Sequence, residues 1–157
     1  MLLAELLNKR TTLQKEMGQI KIWLKQNSIS TVGNENNKEW LEKYDLLCEY
    51  EVELQNTITL INETNNKVKA GNFQNINAML LQRDLLNKKI SFLEQITETI
   101  QNAKREEIRA FKYQKEDVKI TPMFINALDF QEEILKLKNE LKKLENLIQR
   151  TNWTTEV

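Results

Sequence analysis

Apolar side chains recur at alternating three- and four-residue steps in four stretches of this chain. The first holds Leu3, Leu6, Leu13, Met17, Ile20 and Leu24, and the second Trp40, Tyr44, Leu47, Leu54, Ile58 and Ile61. The third holds Ile76, Met79, Leu86, Ile90, Leu93 and Ile100, and the fourth Phe130, Ile134, Leu137, Leu141, Leu144 and Ile148. That period lays apolar side chains along one side of an α-helix, where a neighbouring helix covers them in coiled-coil fashion. The stripes predict helices over about 2–27, 37–66, 75–110 and 124–152. Each would be roughly 40 Å long at a rise of ~1.5 Å per residue.

The breaks between the stripes are legible as well. Ser28 to Asn37 reads as a loop, with Asn36 or Asn37 placed to cap the second helix. Ala70-Gly71-Asn72 ends the second helix, and Asn75 is placed to cap the third. Before the fourth helix, Val118 and Ile120 alternate with Asp117 and Lys119 and are followed by Pro122. Period two and a helix-breaking proline predict a short extended arm over about 112–122, which must lie across helices or pair with a second copy of itself. Short connections favour antiparallel neighbours. The expected fold is therefore all-α: a single domain over residues 1–157, built as an up-down-up-down four-helix bundle of coiled-coil hairpins. An extended pair of hairpins that completes its core by dimerising has the same periodicity.

Charged residues interrupt the stripes at three points. Arg10 falls between Leu6 and Leu13, Glu51 between Leu47 and Leu54, and Arg83 between Met79 and Leu86 with Asp84 beside it. A charge in a seam is costly unless paired. In antiparallel hairpins, residues are level across the first turn when their numbers add to about 64, across the second at about 141 and across the third near 228. This register sets Arg10 one turn from Glu51, Arg83 near Asn62, and Arg83 close to Glu145 and Gln149. Glu5, Arg10, Glu51, Asn62, Asn65, Arg83, Asp84, Glu145, Gln149, Asn152 and Trp153 then form a candidate polar cluster, with most members toward one end of the bundle. Two roles fit it: a layer that fixes helix register, or a site for a small anionic ligand with Arg10 and Arg83 as donors. The segment IQRTNWTTEV, Ile148 to Val157, carries three of these residues and reads as a tail that docks.

Composition removes most chemistries. The 157 residues hold 23 Lys and Arg against 23 Asp and Glu, so no global field attracts nucleic acid or an anionic membrane. There is no His, which removes the usual general base and transition-metal ligand and with it any Glu-x-x-His di-iron site. The single cysteine, Cys48, reads as a small apolar group. Glu39, Glu42 and Asp45 have the spacing of a helical magnesium motif, but so acid-rich a helix produces it without function. The basic run Lys104, Arg105, Arg109, Lys112 and Lys115 is offset by Glu106, Glu107, Glu116 and Asp117 and reads as a solvated helix end. Trp23 and Trp40 read as packing residues. No phosphate loop or nucleophile elbow is present. The opening MLLAELLNKR has an acid inside its apolar stretch and reads as a helix start, not a signal peptide.

Three segments resemble the septicolysin-like family of small bacterial proteins. They are LAELLNKRTTLQ with Leu3, Glu5, Arg10 and Leu13; INETN with Leu80, Arg83, Asp84 and Leu86 beyond it; and LIQRTNWTTEV with Gln149, Asn152, Trp153 and Glu156. The first loop and the segment before the last helix depart from the family's pattern. The resemblance implies an all-helical protein, and its name implies a membrane-active cytolysin. The residues themselves show neither a glycine-rich insertion hairpin nor a long apolar face. The expectation is a cytoplasmic, self-associating helical interaction protein, not an enzyme. It needs no cofactor or metal, has no affinity for nucleic acid or membrane, and carries a polar cluster that fixes register or binds an anion.

Overall fold

The computed structural model describes residues 1–29, 37–113 and 127–157. Four helices are present among them: α1 (Leu3–Gln26), α2 (Asn37–Lys67), α3 (Ile76–Lys112) and α4 (Ala127–Thr154). The fold is all-α, built from antiparallel helix hairpins, and the helix bounds agree with the apolar stripes to within about three residues. Lys112, where the extended arm was expected to begin, is still helical; the arm beyond Tyr113 lies outside the described residues. The chain divides into two compact units, Met1–Asn77 with Gln149–Val157, and Ala78–Ile148.

In the first unit, α1 and α2 pair along a seam of Met17, Ile20, Leu24 and Leu47, flanked by Trp23, Trp40, Leu46, Tyr50 and Leu54. The Trp40 indole N–H donates to the Leu24 carbonyl at 3.1 Å and closes the turn-proximal end of the hairpin. Lys9 meets Glu53 at 2.7 Å further along. Both pairs lie on the register expected for the first turn. The α2 side of the seam is rotated from the one read through apolar residues alone. Thr57, Ile61, Thr64 and Asn65 are buried, whereas Glu51 is exposed and bonds Lys21 at 3.4 Å. Tyr50, not Glu51, fills the slot between Leu47 and Leu54.

The turn after α2 is compact. Gly71 takes φ 55°, a conformation that a side chain would strain. The Phe73 amide donates to the Ala70 carbonyl at 2.9 Å and the Ile76 amide to Val68 at 3.1 Å. Asn75, directly before α3, donates through its side chain to the Asn66 carbonyl at 3.2 Å, on the register expected for the second turn.

In the second unit, Leu86 and Ile90 of α3 and Ile134, Leu137, Leu144 and Ile148 of α4 are buried. Lys89 pairs with Glu133 at 3.7 Å, and Lys138 with Glu94 at 2.6 Å. These two bridges slant to either side of the expected third-turn register and establish the antiparallel sense of α3 and α4.

Candidate functional site

The tail does dock, through its backbone and threonines. The Leu3 amide donates to the Thr155 carbonyl and the Val157 amide to the Met1 carbonyl, both at 2.9 Å, around an antiparallel bridge between Leu2 and Glu156. The Leu2 amide is taken by the Glu5 carboxylate at 2.7 Å, so Glu5 closes the first turn of α1 as the acidic half of a capping box. Two amides that a helix start leaves without partners are thereby satisfied, one by the tail and one by Glu5. Thr151 and Thr155 are buried in this clasp, while Trp153 is 56% exposed.

Of the remaining cluster residues, Arg10, Glu51, Asn62, Asn65, Gln149 and Asn152 belong to the first unit, and Arg83, Asp84 and Glu145 to the second. Asn65 is buried, Arg10, Asn152 and Arg83 are half-buried, and Glu51, Asn62, Asp84, Glu145 and Gln149 are exposed. Among the described residues, the cluster members joined to each other by a hydrogen bond or ion pair are Arg83 and Asp84. The Arg83 guanidinium donates to the Asp84 carboxylate through Nε at 3.0 Å and Nη2 at 2.8 Å. The expected Arg10–Glu51 pair does not form, because Glu51 lies off the seam with Lys21. Arg10 Nε is buried without a hydrogen-bond partner among the described residues. Two arginines in equivalent seam slots thus differ: one is answered by its chain neighbour and the other is open.

A second feature escaped the reading of apolar stripes. Glu16, Gln19, Ile20 and Trp23 of α1 and Lys43 and Tyr50 of α2 line a groove of about 330 Å³. Lys43 Nζ sits 5.7 Å from the centroid of the Trp23 ring, within the range of a cation–π contact. Trp40 and Tyr44 stack next to each other at 5.6 Å. The Glu16 carboxylate holds the Tyr50 hydroxyl above its ordinary pKa of 10.0, through its charge, then through partial burial and the hydrogen bond the hydroxyl donates to it; Glu53 and Glu49 add to the effect. The signal was present in the sequence, since Glu16 with Tyr50 and Trp23 with Lys43 both fall on the first-turn register.

The third feature is on α3. Leu81, Leu85 and Phe92 recur at i, i+4 and i+11, on the side of the helix opposite Leu86 and Ile90, and are 60%, 52% and 61% exposed. No described helix is long and apolar enough to cross a membrane. No group of three or more His, Cys, Asp or Glu among the described residues is arranged to hold a metal ion.

A family model described as a family of unknown function (DUF6847) matches residues 10–157, and the chain belongs to that family. The match overturns the septicolysin-like resemblance. The segments that carried the resemblance form the start of α1, the end of α2 with the start of α3, and the tail clasp, and they serve this fold without marking the septicolysin-like family. No curated protein matches the chain. The crystal structure of a functionally unknown conserved protein from Corynebacterium diphtheriae is similar over 100% of this chain and 98% of its own, with a TM-score of 0.84 and 22% identity. At that identity the likeness shows the fold alone.

Proposed function

We propose that this member of the DUF6847 family is a self-associating interaction protein, and that two copies pair through the outer face of α3. The observation that supports this is the Leu81–Leu85–Phe92 stripe. Its exposed area is on the order of 300 Å², within the range of the largest apolar patch on a folded protein, which is often functional. The stripe is self-complementary. With a two-fold axis crossing α3 between Leu86 and Asn87, Leu81 of one copy lies opposite Phe92 of the other, and Leu85 packs among the methylene stems of Lys88 and Lys89. Asp84 comes within one residue of level with Lys88 of the second copy on the same flank, acid against base. In this reading the polar residues serve each hairpin locally: Glu5 caps α1, and Arg83 with Asp84 form a pair on α3. The unpaired thiol of Cys48 fits a reducing compartment, the cytoplasm.

Two variants test the register, both in a Cys48→Ala background: one chain with Leu81→Cys and another with Phe92→Cys. Mixed and oxidised, they are expected to give a disulfide-linked heterodimer. Like positions lie roughly 16 Å apart in this register, from eleven residues at ~1.5 Å each, and cannot bridge. Absence of the heterodimer, or homodimers in equal amount, would contradict the pairing.

A second reading is favoured by Arg10, whose buried Nε lacks a partner among the described residues: a small anion binds at Arg10, within the first unit. It calls for a rise in melting temperature with phosphate or sulfate that disappears in Arg10→Met. No rise at tens of millimolar anion would exclude these two ions as ligands.

A further inference from the structure

The groove between α1 and α2 has two different ends. Seven residues separate Glu16 from Trp23 on α1, and seven separate Lys43 from Tyr50 on α2, so the Glu16–Tyr50 end and the Trp23–Lys43 end lie about 10 Å apart at ~1.5 Å per residue. At the first end Glu16 and Tyr50 line the groove together, and Glu49 and Glu53 add negative potential around the Tyr50 hydroxyl. Lys9 neutralises part of the Glu53 charge at 2.7 Å. At the second end the Trp23 ring already holds an ammonium, that of Lys43, at 5.7 Å. Between the ends run the apolar side chain of Ile20 and the amide of Gln19.

We propose that this groove binds a linear alkyl polyamine. One terminal ammonium meets the Glu16 carboxylate, where the developing ion pair is reinforced by Glu49 and Glu53. The methylene chain lies along Ile20, and an internal ammonium donates to the Gln19 carbonyl. The far ammonium takes the Trp23 face and displaces Lys43, whose flexible stem carries its own charge out to water. Lys43 in the free protein is thus an internal occupant, and the contact it makes is the one the ligand reproduces. The distance between the ends suits an extended triamine such as spermidine; putrescine is too short to reach both. The volume of about 330 Å³ is at the small end of the range for ligand sites. Binding here is independent of self-association, because the groove is built wholly from α1 and α2.

Isothermal titration of the full chain with spermidine tests the proposal, with putrescine and the variants Glu16→Gln and Lys43→Met alongside. The expected result is saturable one-to-one binding that is at least tenfold weaker for putrescine. Glu16→Gln weakens it at least tenfold, and Lys43→Met tightens it several-fold because the internal competitor is gone. Circular dichroism confirms that each variant keeps its helices, which both half-exposed positions should allow. The proposal is overturned by the absence of saturable heat up to several millimolar spermidine. Equal binding by Glu16→Gln, or weaker binding by Lys43→Met, overturns it too.

Discussion

In the first unit the irregular residues are buried or half-buried: Tyr50 packs in the α1–α2 seam, Thr57, Thr64 and Asn65 are buried on α2, and Arg10 Nε is buried on α1. In the α3–α4 hairpin the seam is apolar apart from Arg83, and Leu81, Leu85 and Phe92 line one water-facing side of α3; α1 and α2 also expose apolar residues, Ile22, Leu41 and Val52 among them. The difference separates two uses of one heptad pattern. Polar groups in a seam limit which register two helices can adopt, because a slip leaves them without partners. Apolar groups on an outer face do nothing for their own hairpin and gain by meeting another surface. The first hairpin is specified internally; the second, in the proposed pairing, is completed from outside.

The largest expected effect separates the two faces of the second hairpin. Leu137, buried in the seam, should cost about 2–5 kcal/mol when changed to Ala. Leu135, exposed two residues earlier, should cost no more than about 0.5 kcal/mol. Urea denaturation of both variants under dilute conditions makes the measurement, and equal costs would break the assignment of faces. Next in size is the clasp. Deleting residues 155–157 removes the hydrogen bonds to Leu3 and Met1 and uncovers buried Leu3, which should lower stability by about 1–3 kcal/mol. A deletion without effect would show that the tail contributes nothing to the first unit.

Much of this was legible in advance, for reasons that differ by region. The apolar period located all four helices, and the pairs Lys9–Glu53 and Asn75–Asn66 fall on the antiparallel register, although the register alone did not pick them out. The α2 seam was misplaced onto Glu51 because threonine counts as polar in a pattern of apolar residues. Thr57 and Thr64 can be buried because each hydroxyl donates to a carbonyl of its own helix, Glu53 and Leu60, at 2.8 Å and leaves its methyl to pack. The tail's attachment runs through backbone groups that no side-chain pattern encodes. The groove was overlooked because Trp23 was read alone as a packing residue; its meaning comes from Lys43 and Tyr50 on the facing helix. The exposure of the α3 outer stripe depends on which of two apolar faces α4 covers, a tertiary choice the period leaves open.

Smaller effects sharpen the contrast between the seam arginines. Arg10→Met removes a buried donor without a partner and should leave stability unchanged or raise it by about 1 kcal/mol. Arg83→Met breaks an exposed pair with Asp84 and should change it by about 0.5 kcal/mol or less. A clear loss of stability in Arg10→Met would mean the guanidinium is held by a partner outside the described residues. The smallest effect is a titration. Because Glu16 favours the neutral phenol, Tyr50 should ionise above the ordinary value of 10.0, and Glu16→Gln should bring it down. Ultraviolet absorbance of a chain with Tyr44 and Tyr113 changed to Phe follows this directly. An unshifted Tyr50 in the parent chain would contradict the Glu16 contact.

The central claim, that the outer face of α3 joins two copies, is tested most directly by mass in solution. Sedimentation equilibrium of the parent chain from micromolar to hundreds of micromolar should show a concentration-dependent dimer of the 18.6 kDa chain. The Leu85→Glu/Phe92→Glu variant, with its helical content unchanged, should remain a monomer throughout. A parent chain that is monomeric across that range, or a double variant that still dimerises, would contradict the account.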